Sequence, residues 1–292
     1  MAEFAILTDS CCDLYTETRK KYNIDYVPMG LVMDGKEMVA SLDWDEFDAK
    51  QLYKWLRDGK VIKTTQVPVT AYEDKFGSIL KEDKDILYLA CSSGLSGSIN
   101  AARIACEELS AKYPQRQIVI VDTLKASMGT GMMTIEAAKM CDEGKSLQEI
   151  AEWVEANKMK YREIGVPESL TYLKRAGRVK GAAAFFGNLF EIKPVVVFDK
   201  TGSNLAIKKV KGRRPSLKEI VRMTAEEIVA PETQTVCIVH ADCEQDALWV
   251  KQMLEETVKP KDIFVENMGP VIGASTGPGT VIIYFKGADI DF

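Results

Sequence analysis

The sequence predicts an α/β fold, with a mainly parallel sheet flanked by helices towards the N-terminus and an α+β arrangement with a mixed or antiparallel sheet towards the C-terminus. Two observations carry this. From Phe4 to Asn157 short apolar runs alternate with segments of helical periodicity, the pattern of repeated β-α units. After about residue 160 that alternation stops, and a strand pair surrounds the turn-forming run Asp199-Lys200-Thr201-Gly202-Ser203-Asn204. The change of texture places a boundary near residue 158, giving an α/β unit at 1–158 and an α+β unit at 159–292, each of ordinary domain size.

Phe4 to Leu7 is a short apolar strand ending at Thr8-Asp9-Ser10, and Leu14 to Tyr22 reads as a helix opened by Asp13 as its cap. Tyr26 to Val32 reads as extended around Pro28, with a hairpin turn at Asp34-Gly35. Asp45 to Arg57 is a helix closed by Gly59, and residues 60–69 are a loop. Helices at Ala71 to Lys81, Ser98 to Lys112 and Met128 to Glu143 alternate with strands at Ile86 to Cys91 and Ile118 to Asp122, and Ser146 to Asn157 adds a helix. Further on, Tyr161 to Pro167 is a strand, Ser169 to Arg175 and Ala182 to Glu191 are helical, and Val195 to Phe198 pairs antiparallel with Leu205 to Val210. Helices at Leu217 to Val229 and Glu244 to Thr257, with strands at Val236 to His240, Ile263 to Glu266 and Thr280 to Phe285, complete the chain.

Composition narrows the function. Hydrophobic residues make up 46 % of the 292 and charged residues 28 %, which excludes disorder and low complexity as overall descriptions. With 38 Lys and Arg against 43 Asp and Glu the net charge is −5, the wrong sign for a protein that envelops nucleic acid. The seven cysteines form no C-x-x-C pair and sit mostly in apolar runs, as small buried thiols do in a reducing cytoplasm. The N-terminus lacks the basic start of a signal sequence, and no stretch approaches the roughly 18 apolar residues of a membrane span. A single histidine, His240, excludes metal sites built on several imidazoles, and no cofactor or metal is expected. Between Lys158 and Arg222, 16 basic and 5 acidic residues make a local excess of +11. That stretch is either a solvated face or a docking surface for an acidic or phosphorylated partner, centred on Lys174, Arg175, Arg178 and residues 208–214.

Gly273-Ala274-Ser275-Thr276-Gly277 matches a hydrolase elbow in letters only. That fold needs its histidine after the serine, whereas His240 precedes it, and Pro278-Gly279 opposes an elbow helix. Gly129-x-Gly131 is a fragment of a dinucleotide fingerprint without its third glycine, and no P-loop occurs. Three loops rich in small and hydroxyl residues remain. Ser92 to Ser98 lies between a strand and a helix, where free helix N–H groups suit a carboxylate or phosphate, or where the serines simply cap. Lys63 to Pro68 places Thr64 and Thr65 side by side, and Gly269 to Gly279 carries Ser275. With no acid–base pair among them, these loops fit a binding site better than a reaction centre. The rival reading, an enzyme acting on a small carboxylated or phosphorylated metabolite, needs a proton-transfer group in the same crevice, and Asp9 is its best candidate. Gly181 to Ile192 is apolar nearly all round, so it is core or it lines a cavity for a long hydrocarbon.

These residues resemble the DegV family of bacterial fatty-acid-binding proteins nearly end to end. The resemblance is carried by ILTDSCCDL, the TTQ at 64–66, SSGLSGS, VDTLKASMGTG, YLKRAGRVK, IKPVVVF and GPVIGASTGPG. It implies a two-domain DegV-like fold that holds a long-chain fatty acid between its domains. The carboxyl group would be hydrogen-bonded by the threonine loop and the L-S-G serine, which fall on Thr64, with Thr65 beside it, and on Ser96, followed by Gly97. Some family members are binding subunits of a two-component fatty acid kinase, so the resemblance also implies an ATP-dependent kinase subunit as partner and a transient contact with a membrane surface. The arginine of the family's L-x-x-G-G-R motif corresponds to Arg178, with Arg175 nearby, and belongs to the partner-docking surface. Two departures stand out: Ser275 where relatives commonly have histidine, and Ala176-Gly177-Arg178 in place of Gly-Gly-Arg. Without the imidazole the pocket lacks an evident cation, and a bound acid is expected to hold its proton to higher pH than in water.

Overall fold

A computed structural model describes residues 4–181 and 191–289. The apolar segment 182–190, read above as helical, lies outside the described residues. Strand β1 (Phe4–Asp9) sits between β2 (Ile24–Val27) and β6 (Asp85–Ala90), with β7 (Ile118–Asp122) beyond β6, all parallel. Helices α3 (Val69–Leu80), α4 (Ser98–Lys112) and α5 (Met128–Asp142) pack against this sheet, and α6 (Leu147–Asn157) opens with a full capping box at Ser146 and Glu149.

Pro28 divides what reads as one extended segment. Having no N–H to give to a ladder, it marks the point where the chain leaves the parallel sheet. The next strand, β3 (Met29–Met33), belongs to a separate antiparallel sheet with β4 (Lys36–Ala40) and β5 (Ile62–Thr65). The β3–β4 turn has Asp34 and Gly35 both at positive φ, 52° and 79°, as a two-residue hairpin requires. Residues 60–69 are therefore not a loop throughout: Ile62 is buried and β5 pairs with β3, a short strand with too few apolar positions to show alternation.

Two other local readings change. The helix α1 (Thr16–Lys21) has no side-chain cap, and Asp13 is instead a buried residue in the left-handed region, φ 53°. Helix α2 (Ala49–Arg57) starts after Asp48, whose carboxylate accepts from the Gln51 amide, while Asp45 accepts from the Ser41 hydroxyl.

The larger sheet has six strands in the order β10 (Asn204–Lys211), β9 (Ile192–Phe198), β8 (Tyr161–Val166), β13 (Val281–Lys286), β11 (Thr235–His240) and β12 (Asp262–Asn267). Only β11 and β12 run parallel. Strand alternation gives it two apolar faces. Ile164, Val195, Ile238 and Ile283 face helices α8 (Arg213–Glu227) and α9 (Glu244–Thr257), whose Leu217, Ile220, Val250 and Leu254 cover them. Helix α8 begins before Pro215 because proline is tolerated in a first turn. The opposite face, with Phe198, Cys237, Val239 and Tyr284, joins the core built on Leu7, Leu87 and Met128.

The seam between the sheets is pinned by buried polar contacts. Asp13 accepts from Ser127 Oγ at 2.5 Å and from the Gly269 amide at 3.0 Å. Ser92 Oγ donates to the Gly202 carbonyl at 2.7 Å, and Gly202, at φ 72°, leaves no room for a Cβ, which would lie 2.1 Å from Ser92 Oγ. Burial pushes the Asp13 carboxyl up from 3.8 to about 7, although both hydrogen bonds pull it down, and burial likewise raises Glu163 from 4.5 to about 7. Both groups hold extra protons in the folded chain between their ordinary and raised values, so stability falls as pH rises through that window and levels off above it. The urea midpoint is expected to drop between about pH 4 and about pH 7, and Asp13→Asn should remove part of that slope; an unchanged slope in the variant would contradict the assignment.

Candidate ligand site

A cavity of about 160 Å³ opens at the seam. It brings together Thr64, Thr65, Ser96, Gly97, Ser275 and Arg178, so six of the seven residues singled out from sequence line one space. Arg175 is not among its lining residues; its guanidinium lies 5.8 Å from the centre of the Tyr172 ring. The apolar wall comes from Leu95, Leu173, Phe198, Val271, Ile272 and Ile282.

The hydroxyl end has a clear local logic. Thr64 and Thr65 end β5, where neighbouring side chains point to opposite sides. Thr64 shares a face with buried Ile62, while Thr65 Oγ1 lies over Gly30, only 2.4 Å from where a Cβ would stand. Ser96 accepts from the Ser98 amide at 3.2 Å and shares a hydrogen bond with Ser98 Oγ at 2.9 Å. Ser98 Oγ also accepts from the Val67 amide at 3.1 Å, which ties the threonine strand to the start of α4. When Ser98 donates to Ser96, the Ser96 proton is left for a ligand at the start of the 15-residue helix α4, whose first amide already donates to Ser96 Oγ. Gly97 lets the Gln66 amide approach closely: a Cβ there would lie 2.4 Å from Gln66 Oε1 and would displace that side chain.

Residues 269–279 are not simply a loop. Pro270 opens a short helix, α10 (Pro270–Thr276), in the first-turn position that proline favours. Ser275 therefore projects from a helix and not from a nucleophile elbow. His240 is buried, its Nδ1 accepts from the Cys243 amide at 3.4 Å, and burial lowers its pKa. Asp9 is likewise committed elsewhere: its carboxylate accepts from the amides of Cys11 and Cys91, at 2.9 and 2.8 Å, and from Tyr88 Oη at 2.9 Å. It caps the turn after β1 and does not line the cavity.

Two features escaped sequence reasoning. Arg178, expected only on a docking surface, lines the cavity, so a cation is present where none was expected. Its placement follows from Gly177, which ends helix α7 (Thr171–Ala176) at φ 67°; Ala176 lies within that helix, so alanine in place of the family's first glycine is accommodated. Asp9, Cys11 and Cys91 also converge within 4.8 Å, although their spacing gave no sign of it. The amides and the tyrosine already engage the carboxylate, and both thiols are pushed up, Cys11 foremost by its hydrogen bond with Cys91, so this trio fits a buried hydrogen-bonded cluster better than a metal centre.

The DegV family model matches residues 3–286. The chain belongs to the DegV family. A DegV domain-containing protein of Clostridium perfringens is 40 % identical over 98 % of both chains. Among solved structures, a DegV lipid-binding protein from Thermotoga maritima aligns with TM-score 0.85 and 27 % identity over 99 % of both chains. A Thermus thermophilus DegV family protein, described by its fatty acid binding, aligns with TM-score 0.86 and 28 % identity over 98 % of this chain and 99 % of that one. Among the described residues of this DegV protein no helix is long and apolar enough to cross a membrane.

The basic stretch 158–222 is ion-paired in part where it lies. Ion pairs join Lys180 to Asp199, Lys208 to Glu219 and Arg213 to Asp246, and Arg162 pairs with Glu227. Helix α10 ends beside the site at Gly277, at φ 81°, where a Cβ would lie 2.0 Å from the Tyr172 ring. Gly277→Ala is expected to destabilise the chain by about 2–4 kcal/mol through strain and overpacking. Urea unfolding checks this, and a loss of less than about 0.5 kcal/mol would show that the ring yields freely.

Proposed function

We propose that this chain binds a long-chain fatty acid between units 1–158 and 159–292, without catalysis of its own, and presents the carboxyl group to a separate ATP-dependent kinase subunit for acyl-phosphate formation. The observation that carries the reading is a cavity at the seam that combines the hydroxyls of Thr64, Thr65, Ser96 and Ser275 and the charge of Arg178 with an apolar wall of Leu95, Leu173, Phe198, Val271, Ile272 and Ile282. The lipid binding stated for the Thermotoga maritima neighbour and the fatty acid binding stated for the Thermus thermophilus one support it.

The energetics divide the work between the two ends of the ligand. Desolvating an acyl chain is favourable by roughly 0.8 kcal/mol per methylene, so about 14 methylenes give about 11 kcal/mol before ordering and association costs are subtracted. The carboxyl end contributes orientation, because a buried anion is costly unless donors surround it. Thr64 and Ser96 are neutral donors, and Arg178 at the cavity adds a charge that favours the ionised acid. This reverses the expectation of an unusually high carboxyl pKa. It also gives Arg178 a place in ligand binding in addition to partner docking. Asp9 and His240 are engaged elsewhere: Asp9 accepts three hydrogen bonds, and His240 Nδ1 accepts from the Cys243 amide. All seven cysteines are free, in keeping with a carrier that works in a reducing cytoplasm.

Native mass spectrometry of protein purified from bacterial cytoplasm should show a co-purified fatty acid. A protein that stays apo and has no affinity for added palmitate would overturn the proposal. Ser96→Ala is expected to weaken fatty-acid binding about tenfold, the loss of one hydrogen bond to a charged group. Arg178→Ala should weaken binding and also abolish transfer to the kinase, both read by displacement of a fluorescent fatty acid and by acyl-phosphate formation.

A further inference from the structure

We infer that the deep side of the cavity is built for an acyl chain carrying a hydroxyl group, recognised by the buried pair Lys125 and Glu163. The inference rests on the fatty-acid reading above. Lys125 and Glu163 have side chains 0 % and 3 % exposed, with Nζ and Oε1 4.0 Å apart. Neither Lys125 Nζ nor either Glu163 oxygen has a hydrogen-bond partner among the described residues. The nearest other support for the ammonium is the Phe198 ring, 5.6 Å away.

Their position is what matters. On β8, Glu163 shares a face with Gly165, and that face carries Phe198 and Ile282 from neighbouring strands, both of which line the ligand cavity. Beside Glu163 and Gly165 lies a further void of about 20 Å³, and it shares Leu173, Phe198, Asn204 and Ile282 with that cavity. Gly165 helps to keep it open, since a Cβ there would stand 2.9 Å from Ile282 Cγ1. A void of this size holds one oxygen-sized group.

An unbranched hydrocarbon passing here would leave Lys125 Nζ and both Glu163 oxygens buried without a hydrogen bond, which is costly. A hydroxyl meets both needs at once, donating its proton to Glu163 and accepting from Lys125 through a lone pair. Because the carboxyl group is held at the Thr64 and Ser96 side, only a hydroxyl at one distance along the chain reaches the pair. The structure thus points to a hydroxy fatty acid as the preferred ligand class.

The test is displacement of a fluorescent fatty acid by stearic acid and by a series of monohydroxystearic acids differing only in hydroxyl position. One position should bind about tenfold more tightly than stearate. In the near-isosteric double variant Lys125→Met/Glu163→Gln the ratio of the two affinities should fall to about one. Stearate binding without preference for any hydroxyl position overturns the inference and leaves the fatty-acid reading standing, as does a preference that survives in the double variant. Failure of every acid, plain or hydroxylated, overturns both. Should the double variant not fold, the position series on the unaltered protein decides alone.

Discussion

A sheet with apolar side chains on both faces has to be covered twice. In the six-stranded sheet α8 and α9 cover one face, and among the described residues the other, with Phe198, Cys237, Val239 and Tyr284, packs into the core of the parallel sheet. The two sheets are therefore held together by the same burial that stabilises each of them. Any gap left in that seam is lined with hydrocarbon by default, and polar groups can enter it only with partners, as Asp13 does with Ser127 and Gly269. The ligand cavity is such a gap. It needs no element of its own, only small residues where larger ones would close it.

Most of the fold was legible because its elements announce themselves locally. The alternation of β6, α4, β7 and α5 is carried by apolar runs of the right length, and the antiparallel pairing of β9 and β10 by the turn between them. What could not be read depends on distant partners. β5 is a strand because β3 lies beside it; Ile62 to Thr65 alone says nothing of this. Asp13 looks like a cap in sequence, yet its carboxylate is taken by Ser127 and Gly269, residues that only the tertiary fold delivers. Local chemistry names a residue's capacity, and packing chooses its use.

The same division runs through the site. Thr64, Ser96 and Ser275 were found because loops of small and hydroxyl residues are unusual between strongly patterned elements. Arg178 was found for a different role: sequence shows its charge, while its direction follows from the end of α7 at Gly177. Glu163 and Lys125 left no signal at all. A charged residue at an inward strand position reads as an ordinary polar–apolar alternation until the facing sheet removes its water.

A carrier and an enzyme place different demands on polar groups. Catalysis needs a group whose proton affinity is poised and whose lone pair is free. Asp9 is poised by burial, but three donors consume its lone pairs, and His240 gives its Nδ1 to a backbone amide. The hydroxyls of Thr64 and Ser96 fit the opposite specification: groups that are neutral, directional and weakly acidic can hold an anion without competing for its proton. Such donors bind a carboxylate reversibly and leave its oxygen intact as a nucleophile, which is what a protein must do if the chemistry belongs to another.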